Sequence, residues 1–182
     1  MSAYKFRVLL DNENNAEIFR DIVLDQSESF ETFYKTIMDA FDFTNEQMAS
    51  FYVSNEEWDK GEEISLVDVN FDPDADPVGL MSQLNLEDRV RESDQKFILV
   101  HDFMSMWIFL IELQAFVDET VEQPYVALSV GKAPKEDSRQ QMEGYEEEYL
   151  YDEEEEFDEF NDDAYDLDDF DEGFERYDEN DY

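Results

Sequence analysis

Ser29-Phe30-Glu31-Thr32-Phe33-Tyr34-Lys35-Thr36-Ile37-Met38-Asp39-Ala40-Phe41 is the stretch that decides the fold of this chain. Phe30, Phe33, Tyr34, Ile37, Met38 and Phe41 recur at steps of three and four, so they form one apolar stripe of an α-helix. Ser29 stands where a side-chain oxygen can accept the unpaired N–H groups of the first helical turn. A helix with one apolar stripe needs a layer to lie on, and the flanking sequence supplies strands.

Upstream, Tyr4 to Leu10 alternates as a strand does, and Asp11-Asn12-Glu13-Asn14-Asn15 reads as a turn that lacks only glycine. Ile18 to Leu24 reads as a second strand, so a hairpin precedes the helix. Downstream, Phe43 to Ser50 reads as a loop with a short helical turn, and Phe51-Tyr52-Val53 as a strand. Ile64 to Val69 reads as a short edge strand. Asp72 to Pro77 is a loop, because Pro73 and Pro77 exclude both helix and central strand. Leu80, Met81, Leu84 and Leu86 predict a short helix within Val78 to Val90. Phe97 to Val100 and Trp107 to Phe116 are apolar on both faces and are expected at the centre of the sheet. Tyr125 to Val130 adds a last strand, closed by Gly131. The order predicts an α+β domain, a mixed β-sheet packed on one main helix in a β-grasp-like arrangement.

Charge divides the chain. Its 182 residues carry a net charge of −40. From Lys135 to Tyr182 there are 24 acidic and 3 basic residues, whereas Met1 to Pro134 holds 28 acidic and 9 basic ones. The expected organisation is a folded domain over 1–134 and an acidic tail over 135–182. A body of that length buries roughly two thirds of its unfolded surface. The tail is expected to be disordered when free, since ordering costs about 1–2 kcal/mol per residue and its acids repel one another.

The same charge argues against several functions. Direct binding to nucleic acid needs Lys and Arg to displace counterions from the phosphates, and an anionic membrane surface repels carboxylates. There is no cysteine, hence no disulfide, thiolate nucleophile or zinc–thiolate site. The N-terminus lacks the apolar run of a signal peptide, and Met106 to Ile111, the longest apolar stretch, is far short of a membrane span. The expected location is cytoplasmic.

Three stretches occur in a telling order: Ile18-Phe19-Arg20-Asp21-Ile22, then Phe43-x3-Gln47-Met48-x2-Phe51, then His101-Asp102-Phe103-x3-Trp107. In this the chain resembles the plasmid Ri open-reading-frame-three-like family, also labelled as insertion-element passenger proteins. The pattern there reads I-W-R-x-I, W-x3-H-L-x2-F and Y-D-F-G-D-x-W-x-H-x-I-x-L, and the likeness covers roughly residues 4 to 116. The chain is a divergent member by this measure. Gln47 stands at a histidine position, Met104 and Ser105 at the glycine and aspartate, and Phe109 at the later histidine. The resemblance implies a fold, and it implies that a polar site of the family is largely replaced here by apolar residues.

His101-Asp102 is the sole histidine–carboxylate pair, with Ser105 close in sequence, the ingredients of a base and nucleophile. Along a continuing strand the two side chains point to opposite faces, so a strand-end histidine beside a turn-forming aspartate is the simpler reading. Asp72, Asp74 and Asp76 mimic the opening of a calcium loop, but Pro77 and Gln83 occupy the positions of its required glycine and glutamate. Phe30, Phe33, Phe41 and Trp107 fall at core spacing rather than around a ligand, and Trp58 lies among acids at a surface. No catalytic residue, cofactor or metal ligand is expected, and the chain does not read as an enzyme.

The tail carries the functional signal. Its acidic blocks are interrupted by Tyr145, Tyr149, Tyr151, Phe157, Phe160, Tyr165, Phe170, Phe174 and Tyr177. A solvating tail needs no aromatics. Phe157, Phe160, Ala164, Leu167, Phe170, Phe174 and Tyr177 repeat at helical spacing, so an apolar face could dock once a basic surface relieves the charge repulsion. These nine aromatics are the expected partner-binding residues. The expected function is a protein-binding module whose tail engages a basic ribosomal, transcriptional or nucleoid-associated protein. The alternatives are a nucleic-acid mimic that blocks a DNA- or RNA-binding protein, and an enzyme centred on His101 and Asp102.

Overall fold

A computed structural model describes residues 2–139. The chain opens with strand β1 (Ala3–Leu10) and strand β2 (Phe19–Asp25), an antiparallel hairpin in which Phe6 faces Ile22. Asn12 replaces the missing glycine: its side-chain amide donates to Leu10 O and Ala16 O while its oxygen accepts from Ala16 N–H. Helix α1 (Phe30–Phe41) follows, with Ser29 Oγ accepting the Thr32 N–H at 3.1 Å as its N-cap. At the other end Asp42 takes a left-handed conformation, and the N–H groups of Asp42 and Phe43 return to Asp39 O and Met38 O. This paired return satisfies carbonyls that a helix end otherwise leaves open.

Six more strands complete the sheet: β3 (Ala49–Ser54), β4 (Glu63–Ser65), β5 (Gly79–Leu80), β6 (Lys96–His101), β7 (Trp107–Val117) and β8 (Tyr125–Val130). They lie in the order β5-β4-β3-β6-β7-β1-β2-β8. The β4–β5 pair is parallel and the other neighbours are antiparallel. The result is a mixed eight-stranded sheet with one main helix, and β6 and β7 sit at its centre as their apolar sequence predicts.

The core lies between α1 and one face of the sheet, and aromatic rings dominate it. Phe33 stacks on Phe51 with centroids 5.7 Å apart and tilts against Phe6 at 4.9 Å. Phe30 meets Phe51 and Phe97 edge-on, and Phe41 meets Phe109 at 5.0 Å. The whole predicted stripe of α1 is buried. Trp107 is buried as expected, whereas Trp58 is half-buried at the surface beneath Lys96.

Three local expectations differ from the structure. No helical turn forms between Phe43 and Ser50; β3 begins at Ala49. The Ile64 strand is three residues long and is not an edge, because β5 pairs with it. Val78 to Val90 holds no α-helix but β5 and one 3-10 turn, Leu86–Asp88. The reason is tertiary. Leu84 O and Met81 O accept the first N–H groups of α1, from Phe30 and Glu31, while Met81 N–H donates to Ser65 O. A helix here would spend those groups on itself.

Gly131 closes β8 at φ +74°, and a Cβ there would lie 2.5 Å from Glu17 O. Past it the chain does not leave the body: residues 132–139 cross back over the C-terminal end of α1 and the β6–β7 turn. Phe33→Ala should cost about 3–5 kcal/mol, because its ring contacts both halves of the sheet. Urea unfolding monitored by Trp fluorescence would measure the shift in midpoint.

Candidate functional site

Polar chemistry is gathered at one end of the sheet. A cleft of about 1200 Å³ opens between the end of α1, the β6–β7 turn and residues 132–139. Arg20, Gln47, Asp102 and Ser105, drawn from three separate stretches of sequence, line it together with Lys132 and Glu136.

Arg20 forms its back wall. Its guanidinium is nearly buried and donates to four carbonyls: Ala40 O at the end of α1, Phe19 O, Val130 O and Gly131 O, at 2.8–3.2 Å. It also lies 4.8 Å over the ring of Phe41. Burial lowers its pKa; an arginine remains cationic regardless. The carbonyls it holds are the open acceptors of a helix end and of a strand exit, so the cation joins α1, β2 and β8 in one contact.

His101 lies under the cleft and is fully buried. Its Nδ1 is 3.0 Å from the Tyr34 hydroxyl and its Nε2 is 2.7 Å from Glu136 Oε1. Burial, then the charge of Glu136, pushes the Tyr34 phenol well above its ordinary pKa, so the hydroxyl stays protonated. The Nε2–H donates to Glu136. Glu136 also accepts from the Thr44 N–H at 2.7 Å and the Thr44 hydroxyl at 3.2 Å. Burial acts to raise the Glu136 pKa, but the hydrogen bonds from His101 and Thr44 outweigh it and hold the carboxyl below its ordinary value.

The same segment is fastened twice more. Trp107 Nε1–H donates to Glu136 O at 3.2 Å. Arg139 lies 4.1 Å over the Trp107 ring and donates to Ser105 O, Met106 O and Asp11 O. Residues 132–139 therefore act as a strap, packed on the body five residues past the Pro134 boundary that charge alone draws.

The expected candidates fall as follows. His101 and Asp102 do not meet. Asp102 takes a left-handed conformation at φ 58°, its Oδ1 accepts the N–H groups of Met104 and Ser105, and its own N–H donates to Met48 O. It is a turn-former beside a strand-end histidine, and His101 has both ring nitrogens engaged. Asp72, Asp74 and Asp76 lie exposed, with Asp72 Oδ1 accepting the Asp74 N–H. Among the described residues, no group of three or more His, Asp and Glu is placed to hold a metal ion. Likewise among them, no helix is long and apolar enough to cross a membrane. Tyr145, Tyr149, Tyr151, Phe157, Phe160, Tyr165, Phe170, Phe174 and Tyr177 lie outside the described residues.

Glu136 and Arg139 are what the sequence reading missed. Counting charge placed both in the tail, although Lys135 and Arg139 interrupt its acidity and the dense acidic run begins only later. Phe109, at a histidine position of the family pattern, is core, buried between Phe41 and Phe43.

Comparison with known proteins agrees with this reading of the fold. The sequence pattern described as plasmid pRiA4b ORF-3-like protein matches residues 2–174. A crystal structure of a protein of unknown function from Methanosarcina mazei Go1 superposes with a TM-score of 0.62 at 19% identity, covering 76% of this chain and 74% of that one. No curated protein matches the sequence.

Two substitutions test the cleft. Glu136→Gln should cost about 1–3 kcal/mol at neutral pH, because His101 loses a charged acceptor. A lowered folded pKa gives stability that is present above the ordinary carboxyl value and is lost as pH falls through the folded one. The gap between the two proteins in urea midpoint should therefore close in acid. Arg20→Lys should cost about 2–4 kcal/mol, since an ammonium cannot span four carbonyls. Thermal melting would report it.

Proposed function

The chain belongs to the plasmid pRiA4b ORF-3-like protein family, and from that premise we propose that it is a non-enzymatic, cytoplasmic protein-binding module. A β-grasp-like body carries an acidic, aromatic-dotted tail, and the tail engages a basic protein. Family and fold carry no activity with them here, so the reading rests on chemistry particular to this sequence.

The observation that carries it is the interleaving of aromatics with acids between Tyr145 and Tyr177, within a segment of 24 acidic and 3 basic residues. Carboxylates steer a basic partner at long range, and aromatic rings supply short-range contacts of the kind that dominate binding energy. The body supports this role from one side. Arg139, the last described residue, is fixed to Trp107 and to three carbonyls. His101, the sole histidine, is committed to Tyr34 and Glu136.

The test compares three baits in nuclease-treated lysate: the full chain, a chain ending at Arg139, and a full chain with the nine tail aromatics replaced by serine. Ending at Arg139 keeps the strap intact, so a loss of binding reports the tail and not a damaged body. A basic protein held by the full chain, released as salt rises and weakened at least tenfold by the serine replacements is the expected result. Equal capture by the chain ending at Arg139 would refute a tail-borne function. Release of the captured protein by duplex DNA would shift the reading to mimicry.

A further inference from the structure

Strand β8 has the sequence of an interior strand and the position of an edge. Tyr125-Val126-Ala127-Leu128-Ser129-Val130 holds five apolar residues, yet Tyr125, Val126 and Leu128 are 45%, 39% and 45% exposed. The register with β2 sets Leu128 and Tyr125 beside Asp21 and Val23 on one face, and Val126 beside Ile22 on the other. Among the described residues both faces are therefore open, and β2 is the only strand on its flank. Apolar residues on both faces mark strands that are paired and covered, and an open edge is ordinarily guarded by charge or by proline within the strand.

Here that guard is missing. In a chain of net charge −40, residues 124–131 contain no charged side chain. The opposite edge differs: β5 is two residues long and follows the loop bearing Asp72, Asp74 and Asp76. We propose that β8 is a self-association edge, pairing antiparallel with β8 of a second copy to join two sheets across a two-fold axis.

Charge favours a second copy over a basic partner. A cationic protein gains nothing at an uncharged strand, whereas two highly acidic chains need one place where carboxylates do not meet. A two-fold axis near Ala127 also brings the Glu122 end of each strand to the Lys132 end of the other, two opposite charges at each end of the joint. The register shift at Asp21/Ile22 puts an irregularity in β8, and six residues form a short joint. A standard interface buries about 800 Å² per partner. The association is accordingly weak and reversible. It also has a distinctive salt response: screening relieves the repulsion between the acidic bodies, so association strengthens as salt rises. Binding of the tail to a basic protein moves the other way, so the two claims fail separately.

Sedimentation equilibrium of the full chain, across dilute to near-millimolar protein at low and high salt, tests this. The expected result is a monomer–dimer equilibrium whose dissociation constant falls severalfold at high salt. Leu128→Lys sets two like charges diagonally across the two-fold and should weaken the dimer at least tenfold. Leu128→Thr, which keeps a strand-forming and uncharged residue, should weaken it less. Thermal melts of dilute protein should coincide for all three, since Leu128 lies outside the core. A monomer at every concentration and salt would overturn the proposal. So would a dimer that Leu128→Lys leaves unchanged.

Discussion

The guanidinium of Arg20 is the contact on which this end of the molecule depends. A helix that ends over a sheet leaves carbonyls facing inward, and a strand that stops before a turn leaves more. Arg20 gathers one from α1, one from β2 and two from the exit of β8. Its planar fork can serve several acceptors at fixed angles, which an ammonium cannot. Stacking on Phe41 lets the cation sit against an aromatic core. The helix is thereby held to one end of the sheet, and the chain leaving β8 is turned toward the cleft.

The strap follows from that turn. Gly131 redirects the backbone where no side chain fits, and Glu136 arrives over His101 and Thr44. A buried histidine is costly unless both nitrogens find partners, and here α1 supplies one and the strap the other. No buried side-chain polar atom among the described residues is without a hydrogen bond. One glutamate of this acidic sequence, Glu136, completes the body, and the stacking of Arg139 on Trp107 fastens the end of the strap.

Much of the fold was legible because its signals are local. The α1 stripe, its serine cap, the opening hairpin and the central pair β6–β7 all announce themselves by period or by capping chemistry. Val78 to Val90 misled because its apolar spacing fits a helix, while its carbonyls are claimed by the first turn of α1. That claim is set by residues fifty positions upstream, and no window on the segment contains it. The same holds for the cleft. Asp102 could be read as a turn-former from its neighbours, but the partner of His101 lies 35 residues later, in a stretch whose charge disguised it. Arg20 was visible as part of a motif, though its role as a four-carbonyl clamp depends on two distant chain segments, the end of α1 and the exit of β8.

The strap of residues 132–139 is part of the folded body, past the Pro134 boundary that charge alone draws. Urea unfolding of two shortened chains, one ending at Pro134 and one at Arg139, tests it most directly. The account predicts that the shorter chain is less stable by about 2–4 kcal/mol, having lost the hydrogen bonds of Glu136 and the stacking of Arg139. Coincident transitions would contradict it, and would place the root of the tail at Pro134.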